Sequence, residues 1–234
     1  MSGELLSGLV VWYAVFLFST TFHEAMHSFV SHRGGDDTAY QGGQVTLNPL
    51  PHIQRSPFGM VVVPLLTFFL NKGTWMIGWA SAPFNPYWAA RYPRRSFLMS
   101  LAGPLSHLPL VLISLGIMLV GLRNGFFAPM DREMVMFPVS AGSSGTWSWA
   151  LATLVNVAFK LNTVLLVFNL IPFPPLDGSE VWYLFVKREE DRLRLRAQAN
   201  SYTFAGLLLA WYVFPKIYGP VMIFLVRWLY ALAL

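Results

Sequence analysis

The chain of 234 residues is 55% hydrophobic and only 12% charged, against roughly 25% charged residues in average soluble proteins. With no cysteine, it excludes disulfides and thiolate metal sites, so a metal must bind to His, Asp or Glu. The formal net charge of +5 comes from basic residues between apolar segments, where anionic headgroups explain them, and it does not indicate nucleic-acid binding. The composition therefore predicts a polytopic membrane protein.

The first apolar segment covers residues 5–30 and contains the motif His-Glu-Ala-Met-His at residues 23–27. A helix needs about 20 apolar residues to cross a bilayer, so this segment is long enough to span. The next stretch, residues 31–54, is polar and rich in glycine. Within it, residues 42–47 (Gly-Gly-Gln-Val-Thr-Leu) predict a short β-strand that ends at Asn48-Pro49.

Residues 57–84 are compatible with two topologies. Residues 57–70 are apolar but short for a full span, residues 71–73 predict a turn, and residues 74–84 are apolar again. This part of the chain either spans once or dips into the membrane and returns as a re-entrant hairpin. If it spans, the motif helix and the helix that leads to Asp177 run in opposite directions; if it is re-entrant, they run in the same direction.

The second half of the chain contains two clear spans and a charged run. Residues 96–122 predict a spanning helix, and residues 123–148, rich in Gly, Ser and Pro, predict an exposed loop. Residues 149–170 predict another span, which ends at a proline-rich break. The charged residues 187–196 are most simply a solvated helix face, and the apolar residues 202–234 form one kinked helix or two shorter ones.

These elements predict the fold class of an all-α polytopic membrane protein. We expect a bundle of about five to six transmembrane or re-entrant helices, with a small β element after the motif helix. No internal repeat or low-complexity tract divides the chain, so residues 1–234 are predicted to form a single domain.

The motif at residues 23–27 has the spacing of a zinc site. Histidines at positions i and i+4 share one face of a helix, so His23 and His27 can bind one zinc ion while Glu24 acts as general base. The simpler alternative is a histidine pair at a helix end near the membrane interface, with a glutamate that caps the helix.

Asp177 is the candidate for a third ligand. Hydrolytic zinc sites usually have three protein ligands and an open position for water, and Glu24 and Asp177 are the carboxylates in the most apolar surroundings. Asp177 also follows a proline-broken segment, and non-helical backbone at membrane depth is tolerated only where it is buried in protein or lines a wet cavity. Residues 173–178 therefore predict the wall of a water-filled site. The alternative role for Asp177 is the N-cap of a helix that begins near Ser179.

The order of several motifs resembles the site-2 protease family of intramembrane zinc metallopeptidases. The elements shared with the whole family are HEAMH at 23–27, Ala-Gly-Pro-Leu at 102–105, and Asn-Leu-Ile-Pro-Phe-Pro-Pro-Leu-Asp-Gly at 169–178. Those similar to its compact bacterial branch without a PDZ domain are Gly-Gln-Val-Thr-Leu-Asn-Pro at 43–49 with His52, and Gly-Trp-Ala at 78–80 before Asn85-Pro86. The resemblance extends from the first segment to Gly178, and no family motif follows it.

The resemblance implies a role for each matched residue. His23, His27 and Asp177 would be the ligands of one Zn²⁺ per chain, and Glu24 would be the general base. Asn169, eight positions before Asp177, would help to hold the substrate or its oxyanion.

The resemblance also implies that the predicted strand holds the substrate as an added β-strand. A peptide bond inside a transmembrane helix is shielded by its own hydrogen bonds, so the substrate must unwind, and an exposed strand edge can pair with the freed backbone. The residues that would serve in this way are Gly43, Gln44, Val45, Thr46 and Leu47.

His107 departs from the family pattern. It follows Ala-Gly-Pro-Leu-Ser, at a position where relatives often have Asn. It could face the site as a hydrogen-bond donor, or it could be a packing histidine bonded to a neighbouring helix.

We therefore predict a zinc-dependent endopeptidase that cleaves peptide bonds within or near transmembrane segments of membrane proteins by a metal-activated water. Its partners would be those substrates and the lipid bilayer, and its location would be multi-pass in the bacterial cytoplasmic (inner) membrane. The catalytic core would cover residues 5–186, followed by C-terminal helices at about residues 198–234.

Three alternatives belong to other classes. A catalytically inactive membrane protein could bind zinc and sequester substrates, but such proteins normally lose the base or a ligand. A zinc transporter would need more polar residues along its spans than His107 and Lys160. An intramembrane serine protease is suggested by Gly-Ser-Ser-Gly at residues 142–145, but no histidine follows it.

Overall fold

The computed structural model describes residues 3–130, 137–142 and 146–234. The described chain is mostly helical, with a π-helical turn (Phe58–Val62) before α4, a 3-10 helix (Asp177–Phe185) before α8 and an antiparallel pair of strands. The other elements, in chain order, are α1 (Gly3–Arg33), α2 (Thr38–Gln41), α3 (Pro49–Arg55), α4 (Val63–Leu70), α5 (Pro86–Arg91), α6 (Pro93–Arg123), β1 (Phe127–Pro129), β2 (Val139–Ala141), α7 (Thr146–Asn169), α8 (Glu189–Ser201) and α9 (Thr203–Ala233).

Four of these helices, α1, α6, α7 and α9, are long and apolar enough to cross a membrane. A fifth, bent candidate consists of α3 and the helical residues 58–70. The chain is therefore an integral membrane protein, and the predicted helical class is confirmed. The C-terminal apolar residues form one helix of 31 residues, α9, which continues through Pro215 and Pro220.

The structure gives the re-entrant alternative for residues 57–85, which we call the re-entrant hairpin. At its tip, a Cβ added to Gly73 would lie 2.8 Å from Leu5, near the beginning of α1. At its other end, the backbone N–H of Asn85 donates a 2.9 Å hydrogen bond to the carboxylate of Asp36, just beyond the end of α1. The chain therefore reaches the level at which α1 begins and returns to the level at which α1 ends.

The two arms of the hairpin differ in backbone structure. The first arm is helical, whereas the second, residues 74–85, has no regular secondary structure. The arms are joined by hydrogen bonds between Thr67 Oγ1 and the backbone of Ile77, and by the N–H of Trp79, which donates to the carbonyl of Gly59 at 3.0 Å. A side chain on Gly59 would collide with Trp79, so the absence of a side chain allows the arms to approach.

Helices α1 and α7 run in the same direction, opposite to α6. Helix α6 begins at the level where α1 ends: Arg95, near the start of α6, donates to the carbonyl of Gly34 at 3.1 Å. The segment that follows α7 returns to this same end, where Ser100 donates to the carbonyl of Asp177 at 3.0 Å. This is the relative direction expected for a re-entrant hairpin, and it brings the motif of α1 and the break after α7 to the same depth.

The strand predicted at residues 42–47 is wrong: these residues form turns and bends. Gly43 has a φ of +68°, which is incompatible with a regular strand, and the N–H of Gln44 is used by a 3.0 Å bond to the carbonyl of Ala39. The two-stranded sheet lies instead in the loop after α6, where β1 pairs with β2.

The charged run at residues 187–196 is not simply a solvated face. It begins α8, whose Arg192 is buried and donates to the carbonyls of Ala90, at 2.5 Å, and Val186, at 2.6 Å. Arg196 is also largely covered and pairs with the buried Glu180. These bonds attach α8 to α5 and to the 3-10 helix that begins with Asp177.

Candidate metal centre

His23 and His27 lie one turn apart on α1, and Asp177 approaches them from the break after α7. The two Nε2 atoms are 2.9 Å apart, and Oδ2 of Asp177 lies 3.1 Å from that of His23 and 3.3 Å from that of His27. Zinc bonds of 2.0–2.1 Å in a tetrahedron place the ligand atoms about 3.3 Å apart. The three atoms therefore form a triangle close in size to one face of a zinc tetrahedron.

The hydrogen bonds of the imidazoles leave both Nε2 atoms free for a metal. Nδ1 of His27 donates to the carbonyl of Met99 at 2.8 Å, and Nδ1 of His23 lies 3.0 Å from Nε2 of His107. The ring of His27 thus carries its proton on Nδ1, and in both rings the Nε2 atom is the one that faces Asp177. Both histidines are buried. Two neutral imidazole nitrogens and one carboxylate oxygen are a donor set that fits zinc.

Local backbone contacts explain the position of Asp177. Its carbonyl accepts from Ser100 on α6, and a Cβ on the following Gly178 would overlap the carbonyl of Leu170 and lie 2.7 Å from that of Ile171. Gly178 thus allows the 3-10 helix to fold tightly against the end of α7. Among the described residues the Asp177 carboxylate caps no backbone N–H, so the structure does not support its alternative role as an N-cap.

Gly103 is a site residue that sequence reasoning missed. A Cβ added there would overlap Nε2 and Cε1 of His27 and lie 2.6 Å from Nε2 of His23. Helix α6 therefore presents bare backbone to the two ligand atoms. The available signal was the glycine of the Ala-Gly-Pro-Leu motif, which marks a position where a neighbouring group can approach the backbone closely.

His107 faces the site. It is fully buried, and it contacts the ligand His23 through Nε2 and Asn162 through Nδ1, at 3.0 and 2.8 Å. His107 thus combines the two alternatives, because it faces the ligand His23 and also bonds to a neighbouring helix, α7. Asn162 had no signal in the sequence.

Glu24 lies on the helix of the two histidine ligands, and Asn169 ends the helix that precedes Asp177. Glu24 follows His23 on α1 and is buried, and within the described chain its carboxylate makes no hydrogen bond. Asn169 is the last residue of α7, and its amide donates to the carbonyl of Leu165 at 2.9 Å. The structure thus places Asn169 at the break that leads to Asp177, with its side chain bonded to its own helix.

Of two other groups of predicted residues, the first does not belong to the group of possible metal ligands and the second lies outside the described chain. Residues 43–47 lie between α2 and α3, where the carbonyl of Thr46 faces Nε2 of His52 at 3.1 Å. Ser143, Ser144 and Gly145, which suggested a serine protease, lie outside the described residues.

The fold and the site together define a class: an integral membrane protein with a buried His-His-Asp metal site and a carboxylate residue within the motif. Residues 11–213 match the model of peptidase family M50, which includes the site-2 proteases. The chain therefore belongs to peptidase family M50, and the resemblance identified from its motifs is confirmed.

Three curated relatives are similar over most of the chain. YwhC of Bacillus subtilis (strain 168), whose name designates a candidate zinc metalloprotease, is 33% identical over 164 residues, which is 70% of this chain and 63% of YwhC. Two proteins named Rip2, designated in the same way, come from Mycolicibacterium smegmatis and Mycobacterium tuberculosis. The first is 30% identical over 70% of this chain and 53% of its own length; the second is 28% identical over 88% and 68%. No solved structure matches the chain significantly.

The matched part thus spans less than two thirds of YwhC and about half of the Mycolicibacterium Rip2. The prediction of zinc as cofactor is confirmed by the family, the names of the relatives and the donor set.

Proposed function

We propose that this chain is a zinc-dependent intramembrane endopeptidase that hydrolyses peptide bonds within or near transmembrane segments of other membrane proteins. The observation that supports this most strongly is the convergence of His23, His27 and Asp177 inside a bundle of spanning helices, with Glu24 on the same helix as two of the ligands. Residues 1–234 would act as one catalytic unit.

The chemistry is divided between the metal and the side chains. When bound, zinc acts as a Lewis acid that makes water nucleophilic near neutral pH and polarises a carbonyl group. Glu24 takes the proton of the attacking water and passes it to the leaving amine. A positioned general base of this kind contributes about 10²- to 10⁴-fold to the rate.

Asn169 is suited to hold the oxyanion or the substrate. One of its amide protons is bonded to Leu165, and the other has no acceptor within the described residues and can donate. Its position at the end of α7 places it at the break that carries Asp177. A donor that is already oriented stabilises developing negative charge without a cost of reorganisation.

The site is most open on the side of Asp177. The Asp177 side chain is 22% exposed, against 9% for either histidine side chain, and the preceding residues 172–175 are partly or fully exposed. This agrees with a wet cavity beside the proline-broken segment, as hydrolysis requires.

The substrate would bind along the second arm of the hairpin, residues 74–85, rather than along residues 43–47. This arm has no regular secondary structure and contacts the metal-binding face of α1: a Cβ on Gly78 would collide with the ring of Phe16, which lies two turns before His23. Within the described chain, the N–H groups of Ala80 and Ala82 donate no hydrogen bond. An unwound substrate segment could therefore pair with this arm by β-augmentation.

The three relatives come from bacteria, which supports a location in a bacterial cytoplasmic (inner) membrane. The substrates would then be membrane proteins of the same bilayer.

The deciding experiment uses the full chain purified in lipid nanodiscs. We expect one zinc per chain, and we expect membrane proteins trapped by Glu24→Gln to be cleaved by the wild type. Absence of stoichiometric zinc at neutral pH would contradict the proposal. Stoichiometric zinc with no cleavage of any trapped protein would favour the inactive, substrate-sequestering alternative.

A further inference from the structure

A chain of hydrogen bonds joins the ligand His23 to helix α7 through His107. Nδ1 of His23 lies 3.0 Å from Nε2 of His107, and Nδ1 of His107 lies 2.8 Å from Oδ1 of Asn162. The amide nitrogen of Asn162 donates to the carbonyl of Ala158 at 2.8 Å. All three side chains are buried, so water does not compete for these bonds.

The bonds determine the position of each proton. Because the amide nitrogen of Asn162 is bonded to Ala158, its oxygen faces His107, and an oxygen can only accept. His107 must therefore carry its proton on Nδ1, and its Nε2 accepts the proton of Nδ1 on His23. The lone pair of His23 is then on Nε2, the atom that faces Asp177 and His27.

The two histidine ligands are oriented by different means. His27 donates to the backbone carbonyl of Met99, and a carbonyl oxygen can only accept a hydrogen bond. The acceptor of His23 is another imidazole, which offers an acceptor at Nε2 only if its own proton is held on Nδ1. Asn162 is the group that holds it there.

We infer that His107 and Asn162 are positioning residues that fix the ring and the tautomer of His23 for metal binding. The inference rests on the proposed function only in taking His23 as a zinc ligand. Neither residue belongs to the group of possible metal ligands, and each acts through His23. Removal of such a partner typically weakens metal affinity about 10- to 100-fold.

The test measures zinc affinity by chelator competition in the Glu24→Gln background, so that activity plays no part. We expect Asn162→Leu and His107→Leu each to weaken zinc binding about 10- to 100-fold. Asn162→Asp, which keeps an acceptor oxygen, should restore most of the affinity. The matched control is Thr163→Val, because Thr163 is the next buried residue of α7 and bonds only to its own helix, at Phe159.

A relay also predicts non-additivity. The double variant His107→Leu/Asn162→Leu should bind zinc no more weakly than His107→Leu alone, because Asn162 acts only through His107. The Co²⁺-substituted protein should show an altered ligand-field spectrum in both single variants and an unchanged one in Thr163→Val. Additive losses, or wild-type affinity in folded Asn162→Leu, would overturn the relay. Loss of zinc from the Glu24→Gln parent itself would instead contradict the proposed function.

Discussion

A Cβ atom on Gly103 of α6 would overlap the Nε2 atom of His27 on α1, so these two helices meet with no room for a side chain at the metal centre. We expect Gly103→Ala to displace one or both histidines and to weaken zinc binding roughly 10- to 100-fold, as other disturbances of a ligand do. Chelator competition measures this loss.

Gly116 of the same helix is the matched control for Gly103. A Cβ there would meet nothing within 4 Å, so Gly116→Ala should leave zinc affinity unchanged and raise helix stability by about 0.5–1 kcal/mol. Equal zinc affinity in the two variants would mean that α6 does not closely cover the ligands.

Glu24 and Asp177 should be separable by a metal assay. Glu24→Gln keeps the shape of the side chain but cannot take a proton, so zinc should stay bound while cleavage falls by about 10²- to 10⁴-fold. Asp177→Ala should instead release zinc, because it removes one of three ligands. Metal analysis of purified protein, alongside a cleavage assay, makes the distinction. If Glu24→Gln also lost zinc, a role as base alone would be ruled out.

The proposed substrate arm can be compared directly with the segment that the sequence suggested. Trp79, on the second arm of the hairpin, and Leu47 have nearly equal exposure, 55% and 56%. A photo-cross-linking amino acid placed at either position, in the Glu24→Gln background, should capture substrate from position 79 and little from position 47. Stronger cross-linking from position 47 would show that the substrate binds along residues 43–47 and not along the second arm, whatever conformation residues 43–47 have without substrate.

The sequence pointed to His23, His27 and Asp177, which the structure brings together, because each signal was local or compositional. Two histidines at helical spacing share a face whatever the rest of the fold does. Asp177 was conspicuous because a carboxylate after an apolar, proline-broken segment is rare. The helical membrane class followed from composition for the same kind of reason.

What the sequence did not reveal depends on distances between helices. Gly103 matters because of how closely α6 approaches α1, and Asn162 because α7 brings it beside His107. Neither of these distances between helices is revealed by a local sequence pattern. The strand prediction at residues 42–47 failed for another reason: the residue types favour a strand, but Gly43, at positive φ, lies in the turn that ends α2.

The ion pair between Arg196 and Glu180 should be important for stability, because both groups are largely buried. Glu180 lies three residues after Asp177 in the 3-10 helix and also accepts a 2.5 Å hydrogen bond from Ser96. Its bonds therefore connect the ligand-bearing 3-10 helix to α6 and α8. Removing one partner of a buried pair leaves an uncompensated charge, and Arg196→Met should cost about 3–5 kcal/mol of unfolding free energy. Arg194→Met, at an exposed position of α8, should change it by less than about 0.5 kcal/mol. Denaturant titration in detergent micelles measures both.

The double variant Glu180→Met/Arg196→Met should recover part of the loss, since no unpaired charge remains buried. A loss in the double variant equal to the sum of the single losses would show that the two side chains stabilise the protein independently and not as a pair.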